Sequence, residues 1–118
     1  MRVNLYLILK VIDNGVNIIG INGQLPVCKL HDGMSIDGQM NNFLLCDLKL
    51  SMLSLDLKHV TTKIIHPNTT NAHLGIFYSS FVPKDFIDGK NSEFIKDFSL
   101  IDSEIQQEIQ SSLRLPAY

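Results

Sequence analysis

The first 92 residues of this 118-residue chain contain no glutamate. The three glutamates, Glu93, Glu104 and Glu108, all lie in the last 26 residues, whereas nine aspartates are spread along the chain. A site built from paired glutamates on a helix is therefore excluded from residues 1–92. The chain has only two arginines, Arg2 and Arg114, at opposite ends, so the sequence shows no local arginine pair that would clamp a phosphate.

Cysteine, excess positive charge and long apolar runs are also scarce. Cys28 and Cys46 lack a CxxC motif and a histidine at zinc-finger spacing, so we expect two buried, reduced thiols. The net charge of −2 and the scattered lysines argue against binding to duplex nucleic acid. No apolar run approaches the ~20 residues that span a membrane, and no signal peptide is recognisable. We therefore expect a cytoplasmic protein that does not contact membranes.

The residues that are present are those of a folded domain, with 45% hydrophobic and 19% charged residues. The length predicts a single domain over residues 1–118. Residues 3–12 alternate as a strand does, with one apolar face and a second, more polar face that includes Tyr6. The sequence Asp13-Asn14-Gly15 predicts a hairpin turn into a return strand over residues 16–21.

Further along the chain the pattern predicts both strands and helices. Ser35 is a helix cap before a segment, residues 36–50, whose apolar side chains are spaced three or four apart. Strands are predicted over residues 27–30, 59–66, 74–82 and 94–98, with a charged loop over residues 84–92. A capping box of Ser103 and Gln106 predicts a last helix that buries Ile105, Ile109 and Leu113. This order predicts an α+β fold with one mixed sheet packed between helices.

Residues 25–35, LPVCKLHDGMS, and the helix after them resemble the signature of the Nudix family. That signature reads LPGGK-hydrophobic-E-x-GES before a helix that continues RE-aliphatic-x-EE-x-G. The residues that agree with it are Leu25, Pro26, Lys29, Leu30, Gly33, Ser35, Leu44 and Leu50, and Asp47 lies at the last glutamate. The order of the elements is also similar to a Nudix domain over nearly the whole chain. The resemblance implies a Nudix-like fold.

The same register shows a degenerate signature over residues 25–51. Three of its glutamates are replaced by Met34, Phe43 and Cys46, and its arginine by Asn42. In active family members the helix glutamates hold divalent cations against a diphosphate, because Mg²⁺ prefers several hard oxygen ligands. Phe43 and Cys46 cannot supply them. The resemblance therefore implies a domain without catalytic residues and without a metal or other cofactor.

Five residues are candidates for contact with a ligand: Tyr6, Lys29, Phe43, Asp47 and Tyr78. Aromatic residues on the sheet of a Nudix-like fold often hold a base between them, which favours Tyr6 on the more polar face of its strand. Whether Phe77 or Tyr78 faces the same space depends on the register of the later strand. A structure that shows the space between Tyr6, Lys29, Phe43 and Tyr78 would decide between a pocket and a packed core.

Three hypotheses of function follow. The first is an inactive Nudix-like protein that binds or sequesters a nucleotide-type or phosphorylated small ligand. The second is a protein-interaction or homodimerisation module, such as a small viral or phage inhibitor of a host factor, since the Asn, Ile and Lys content is typical of an AT-rich genome. The third is a divergent pyrophosphohydrolase that holds Mg²⁺ with Asp32, Asp37 and Asp47.

Overall fold

The computed structural model describes residues 2–31, 33–47, 55–84 and 93–114. The strands, in chain order, are β1 Arg2–Ile12, β2 Val16–Gly20, β3 Val27–Lys29, β4 Lys58–Ile65, β5 His73–Phe81 and β6 Glu93–Phe94. Helix α1, Ile36–Asn42, continues into a π-helical turn, Phe43–Asp47. A 3₁₀ turn, Phe98–Leu100, precedes helix α2, Ser103–Arg114.

The six strands of the described ranges form one mixed sheet, in which five follow the order β4–β5–β1–β2–β6 and β3 pairs with β1 outside this order. β1 and β5 are parallel from the pair Arg2 and His73 to the pair Lys10 and Phe81, and the other neighbours are antiparallel. β2 pairs with the end of β1, and β3 pairs with its start at Asn4–Tyr6. The N-terminal ends of β1 and β5 therefore meet beside the end of β3.

The local predictions for the first half of the chain are confirmed. Asn14 and Gly15 have φ values of 54° and 112°, which is the left-handed backbone that a tight hairpin between twisted strands requires. Ser35 caps helix α1, and its Oγ accepts a hydrogen bond from the Gly38 N–H at 3.0 Å. The helix predicted over residues 36–50 changes to π-helical geometry at Phe43, and residues 48–50 lie outside the described ranges.

Both faces of β1 are buried, which corrects the prediction of a more polar second face. One face packs against α1 and its π-helical turn, with Leu5, Leu7 and Leu9 in the same apolar cluster as Phe43. The other face, with Tyr6 and Ile8 only 7% and 0% exposed, packs under α2. A central strand with a helix on each side is buried on both faces, so its apolar residues run almost continuously.

The later elements differ from the prediction in two places. The strand predicted over residues 94–98 is limited to Glu93–Phe94, because Asp97 caps a 3₁₀ turn through a 3.0 Å bond from the Ser99 N–H. Leu113 was predicted to be buried, but it is 41% exposed, whereas Ser112 is 2% exposed. The Ser112 and Ser79 hydroxyls lie 3.2 Å apart, so the end of α2 meets a polar position of β5.

Helix α2 also begins differently from its predicted capping box. Ser103 is the first helical residue, and the carbonyl of Asp102 accepts hydrogen bonds from the Ile105 and Gln106 N–H groups at 3.0 and 2.8 Å. Of the loop predicted over residues 84–92, residues 85–92 lie outside the described ranges. No helix in the described ranges is long and apolar enough to cross a membrane.

Candidate functional site

An open cleft of about 810 Å³ lies where the N-terminal end of β1 meets the loop after β3. We call it the β1 cleft, and the residues that line it are Arg2, Val3, Leu30, His31, Gly33, Met34 and Ala72. Three elements meet there: the start of β1, residues 30–34 and the residue that precedes β5. Much of the cleft is thus built by the segment that resembles the Nudix signature.

The described residues of the segment that forms one wall of the cleft make three hydrogen bonds through their backbone N–H groups. The Leu30 N–H donates to the Val3 carbonyl at 2.9 Å, which continues the pairing of β3 with β1. The His31 N–H donates to the Gln39 side chain at 3.4 Å, and the Met34 N–H donates to the His31 carbonyl at 3.3 Å. Gly33 has a φ of 82°, a left-handed backbone that glycine adopts without steric cost.

Two of the described lining residues can carry charge, and both are basic. The side chains of Arg2 and His31 are exposed at the rim, whereas Val3 and Leu30 are partly buried and form an apolar floor. The guanidinium of Arg2 offers a planar set of donors that matches a phosphate or a carboxylate. Asp32 follows His31 in the loop and lies outside the described residues. The described rim therefore favours an anionic group beside a small apolar surface.

Tyr6, the first of the predicted ligand-binding residues, lies on the α2 face of the sheet. Its ring stacks on Phe77 with 4.8 Å between centroids. Its hydroxyl donates to Nε2 of His73 at 2.7 Å, since Nδ1 of His73 carries the hydrogen that is donated to the Asn71 carbonyl at 2.9 Å. Burial raises the pKa of Tyr6, with Asp102 adding to the rise and a hydrogen bond with Asn4 opposing it. Tyr6 is thus part of a buried network.

Lys29 lies at the end of β3 with an exposed side chain. It pairs directly with Asn4 of β1, two residues before Tyr6, so it projects to the α2 face of the sheet. The residue before it, Cys28, projects to the α1 face and is buried there. Lys29 is close in sequence to the β1 cleft but does not line it.

Phe43 and Tyr78 belong to the α1 face. Phe43 is 8% exposed and packs in the apolar cluster with Met40 and Leu44. Tyr78 is half-buried against the same cluster, and its ring meets the edge of His59 at 5.8 Å. Burial raises the pKa of Tyr78, and the carboxylate of Asp37 adds to the rise.

The five predicted residues therefore do not surround one space. Tyr6 and Lys29 lie on one face of the sheet, and Phe43 and Tyr78 lie on the other. Asp47 ends the π-helical turn, and its side chain lies outside the described part of the structure. The predicted residues divide between the two faces because side chains along a strand point alternately to opposite faces of the sheet. The space beside Phe43 is packed core.

Sequence reasoning did not select Arg2, His31, Met34 or Ala72 as site residues. Ala72 and Arg2 are 70 positions apart and come together only because β1 and β5 pair in parallel from their N-terminal ends. The local signal that was available is Gly33 in the segment that resembles the Nudix signature. A glycine that adopts a left-handed backbone marks a sharp turn where backbone and ligand can approach closely.

The fold family implies a divalent metal ion, so we tested whether the helix after the cleft fits one. Magnesium takes hard oxygen ligands, but the described side chains at the signature positions are the buried ring of Phe43 and the exposed thiol of Cys46. The prediction that both thiols are buried is therefore correct for Cys28 and wrong for Cys46. Within the described ranges, no three His, Cys, Asp or Glu side chains are grouped so that they could hold a metal ion. Asp37 lies exposed in the first turn of α1. The described residues do not fit Mg²⁺.

Comparison with known proteins shows which solved structures have a similar fold. No family model matches the sequence, and no curated protein matches it. Among solved structures, a mutT/nudix family protein from Listeria innocua is similar, with a TM-score of 0.67 and 10% identity over 94% of this chain and 92% of that one. This chain has a Nudix-like fold. At that identity the likeness extends to the mixed sheet and its two flanking helices, which confirms the predicted α+β architecture.

Proposed function

We propose that this protein is an inactive Nudix-like domain, residues 1–118, that binds a nucleotide-type or phosphorylated small ligand in the β1 cleft. The observation that carries the proposal is the cleft itself, which at about 810 Å³ has the size of a small-ligand site. Its wall begins at Leu30, whose N–H donates to the Val3 carbonyl, so this end of the wall is held in place before a ligand binds.

The residues around the cleft suit a ligand with an anionic group. Arg2 would hold a phosphate through two parallel N–H bonds, and His31 would donate a further hydrogen bond from the loop after β3. Val3, Leu30 and Met34 would contact the less polar part of the ligand. Lys29, on the neighbouring strand, would add to the positive potential at the approach to the cleft.

The proposal of binding without turnover is supported by Phe43. This residue occupies a position where the Nudix signature has a glutamate, and its ring is 8% exposed within an apolar cluster. A carboxylate at that position would be held away from water, where an unpaired charge is strongly disfavoured. The local packing therefore suits a core side chain and not a metal ligand.

Isothermal titration with ADP, ADP-ribose and a cyclic dinucleotide, each with and without Mg²⁺, tests the proposal. We expect one of the three to bind, and Arg2→Gln to weaken that binding about tenfold, since one charge-assisted pair is lost. Lys58→Gln is the matched control. It removes the same charge from a side chain that is 75% exposed and lies opposite Ser79, about 20 Å along β5 from the cleft.

Three results would contradict the proposal. The first is the absence of binding to all three ligands, and the second is an equal loss of affinity in both variants. The third is release of phosphate or nucleoside monophosphate that needs Mg²⁺ and is lost in Asp47→Asn, which would favour a divergent hydrolase using Asp32, Asp37 and Asp47. The binding assay and the hydrolysis assay therefore separate the two functions.

A homodimer is the second candidate function, and one observation favours it. Ile12 and Val16, which face each other across the hairpin, are 68% and 48% exposed, and Phe81 on the next strand is 45% exposed. Exposed apolar side chains grouped in this way often mark a contact between proteins. Light scattering after size exclusion would show a dimer that Ile12→Lys converts to a monomer, and a monomer at all concentrations would exclude this candidate.

A further inference from the structure

The turn between β4 and β5, residues 66–72, carries Ala72 to the β1 cleft. Within the turn, the Thr69 hydroxyl donates to the His66 carbonyl at 2.7 Å and accepts from the Asn71 N–H at 3.2 Å. The Ala72 N–H donates to the Thr69 carbonyl at 3.2 Å. Because these bonds join the residues of the turn to one another, the attachment of the turn to the rest of the fold decides where the cleft wall at Ala72 lies.

The start of the turn is attached to helix α2. The His66 N–H donates to the Glu104 carboxylate at 3.3 Å, and Nε2 of the His66 ring contacts the carboxylate of Asp102. Just before the turn, Lys63 forms an ion pair with Glu108 at 3.0 Å. These contacts hold the start of the turn, whereas its last residues are attached by a different side chain.

The side chain of His73 attaches the end of the turn to the sheet. Its Nδ1 lies 2.9 Å from the Asn71 carbonyl, which can only accept, so Nδ1 carries a hydrogen and donates it. Its Nε2 accepts from the Tyr6 hydroxyl at 2.7 Å. Because the hydrogen bond at one ring nitrogen sets which nitrogen carries the hydrogen, Tyr6 keeps that hydrogen on Nδ1, where the turn is bound.

The Tyr6 ring is held where its hydroxyl reaches the imidazole. It stacks on Phe77 with 4.8 Å between centroids and is 7% exposed. Gly75 lies between His73 and Phe77 on the same face of β5. A Cβ at Gly75 would lie 3.3 Å from the Tyr6 ring, closer than side chains normally pack, so the missing side chain leaves room for that ring. The Tyr6 hydroxyl is therefore a fixed partner for the imidazole.

We propose that His73 is a positioning residue of the β1 cleft, whose imidazole, oriented by Tyr6, fixes the cleft wall at Ala72. The ring holds the Asn71 carbonyl on one side of Ala72, and the pairing of β5 with β1 holds the other side. The described lining of the cleft does not include His73, so this residue acts on the wall and not on a ligand. Order that exists before binding does not have to be gained on binding. The inference rests on the proposed function, because it assigns a role within the same cleft.

Two substitutions separate the two hydrogen bonds of the imidazole. The side-chain amide of asparagine lies about as far from the main chain as Nδ1 of histidine, and that of glutamine about as far as Nε2. His73→Asn therefore keeps a donor for the Asn71 carbonyl and loses the bond to Tyr6. His73→Gln keeps an acceptor for Tyr6 and loses the bond to the carbonyl. Each variant loses one hydrogen bond of the ring, so a merely structural role predicts equal effects.

NMR order parameters of backbone N–H groups are the first measurement, because they need no ligand. In wild-type protein we expect about 0.85, the value of a rigid backbone, both at Ala72 and at Leu7 of β1. His73→Gln should lower the value at Ala72 below about 0.6, in the flexible range, whereas His73→Asn should leave it unchanged. Leu7, whose N–H donates to the Pro26 carbonyl at 3.0 Å, is the internal reference and should stay rigid in both variants.

Isothermal titration of the same variants with ADP, ADP-ribose and the cyclic dinucleotide is the second measurement. For each of these that wild-type protein binds, His73→Gln should weaken binding about fivefold and His73→Asn less than twofold, since only the first variant loosens the wall. Absence of binding of all three to wild-type protein contradicts the proposed function alone. The order parameters then still decide whether His73 fixes the wall.

The wild-type protein also tests the proposal directly, even if neither variant folds. NMR of the imidazole nitrogens should show the His73 hydrogen on Nδ1, and a hydrogen on Nε2 alone would overturn the proposal. A flexible Ala72 in wild-type protein would do the same. The proposal is further overturned if Ala72 stays rigid in His73→Gln, or if both variants loosen Ala72 equally.

Discussion

On the α1 face of the sheet the contacts are mostly apolar, whereas on the α2 face apolar packing is combined with hydrogen bonds and ion pairs. The α1 face buries Leu7 and Phe43 in one apolar cluster. The α2 face buries Tyr6 and His73 with a hydrogen bond between them, and Tyr6 packs in one apolar cluster with Ile105 and Ile109 of α2. The helix that resembles the Nudix signature thus lies on the face with less polar chemistry. The proposal of binding without turnover therefore depends on this difference between the two faces.

Phe43→Glu is the strongest test of the difference between the two faces, because it places a carboxylate in the apolar cluster of the α1 face. We expect it to lower the free energy of unfolding by about 3 kcal/mol or more, since the cluster offers the charge no described partner. Phe43→Leu keeps the position apolar and should cost about 1–1.5 kcal/mol, as a modest loss of packing does. Urea denaturation of both variants measures the difference.

A Phe43→Glu variant as stable as Phe43→Leu would contradict the assignment of this position to the core. Such a result would mean that the side chain reaches water, as a metal-binding glutamate must. Titration of that variant with Mg²⁺ would then show whether the position can hold a metal ion. The inactive interpretation depends on the larger loss of stability.

Removal of one tyrosine hydroxyl from each face compares the two faces through a smaller change in the free energy of unfolding. Tyr6→Phe leaves Nε2 of His73 without its donor in a buried site, so we expect a loss of about 1–3 kcal/mol of unfolding free energy. Tyr78→Phe is the matched change on the α1 face. The Tyr78 hydroxyl has no hydrogen bond within the described residues, so its removal should change stability by less than about 0.5 kcal/mol.

Equal effects of Tyr6→Phe and Tyr78→Phe in thermal or urea unfolding would remove the distinction between the faces. A large loss of unfolding free energy in Tyr78→Phe alone would mean that the α1 face, and not the α2 face, holds the buried polar contact. The comparison is informative because both changes delete one oxygen atom and leave the ring in place.

Local signals in the sequence predicted the elements, but not how they come together. The hairpin at Asn14-Gly15 and the cap at Ser35 depend on residues a few positions apart, and both were predicted correctly. The burial of Tyr6 depends on α2, which begins almost 100 residues later, so the strand pattern alone indicated a polar face. The local patterns predicted the order of the elements, and the resemblance to the Nudix family implied the fold into which they pack.

The candidate site was predicted less well, for the same reason. Gly33, which agrees with the Nudix signature, lines the candidate cleft, and that match is visible in the local sequence. Arg2 and Ala72 reach the cleft through the register between β1 and β5, which no local pattern determines. Phe43 drew attention because it stands where the Nudix signature has a glutamate. The structure places it in the core, away from the cleft.

The pKa values of the two buried tyrosines give the finest test of the two faces. Burial raises the pKa of Tyr6 and of Tyr78, and a different carboxylate adds to each rise, Asp102 for Tyr6 and Asp37 for Tyr78. Because folding favours the neutral phenol, this contribution to stability is present below the ordinary value near 10 and is lost as the pH rises above it.

Asp37→Asn should therefore lower the pKa of Tyr78 and leave that of Tyr6 unchanged, while Asp102→Asn should do the reverse. A titration of the tyrosine ring carbons by NMR resolves the two residues, and each variant is the control for the other. Each pKa should stay above its ordinary value in both variants, because burial is the larger cause. A carboxylate that moved both tyrosines would show that its field crosses the sheet, and the two faces would then not be electrostatically separate.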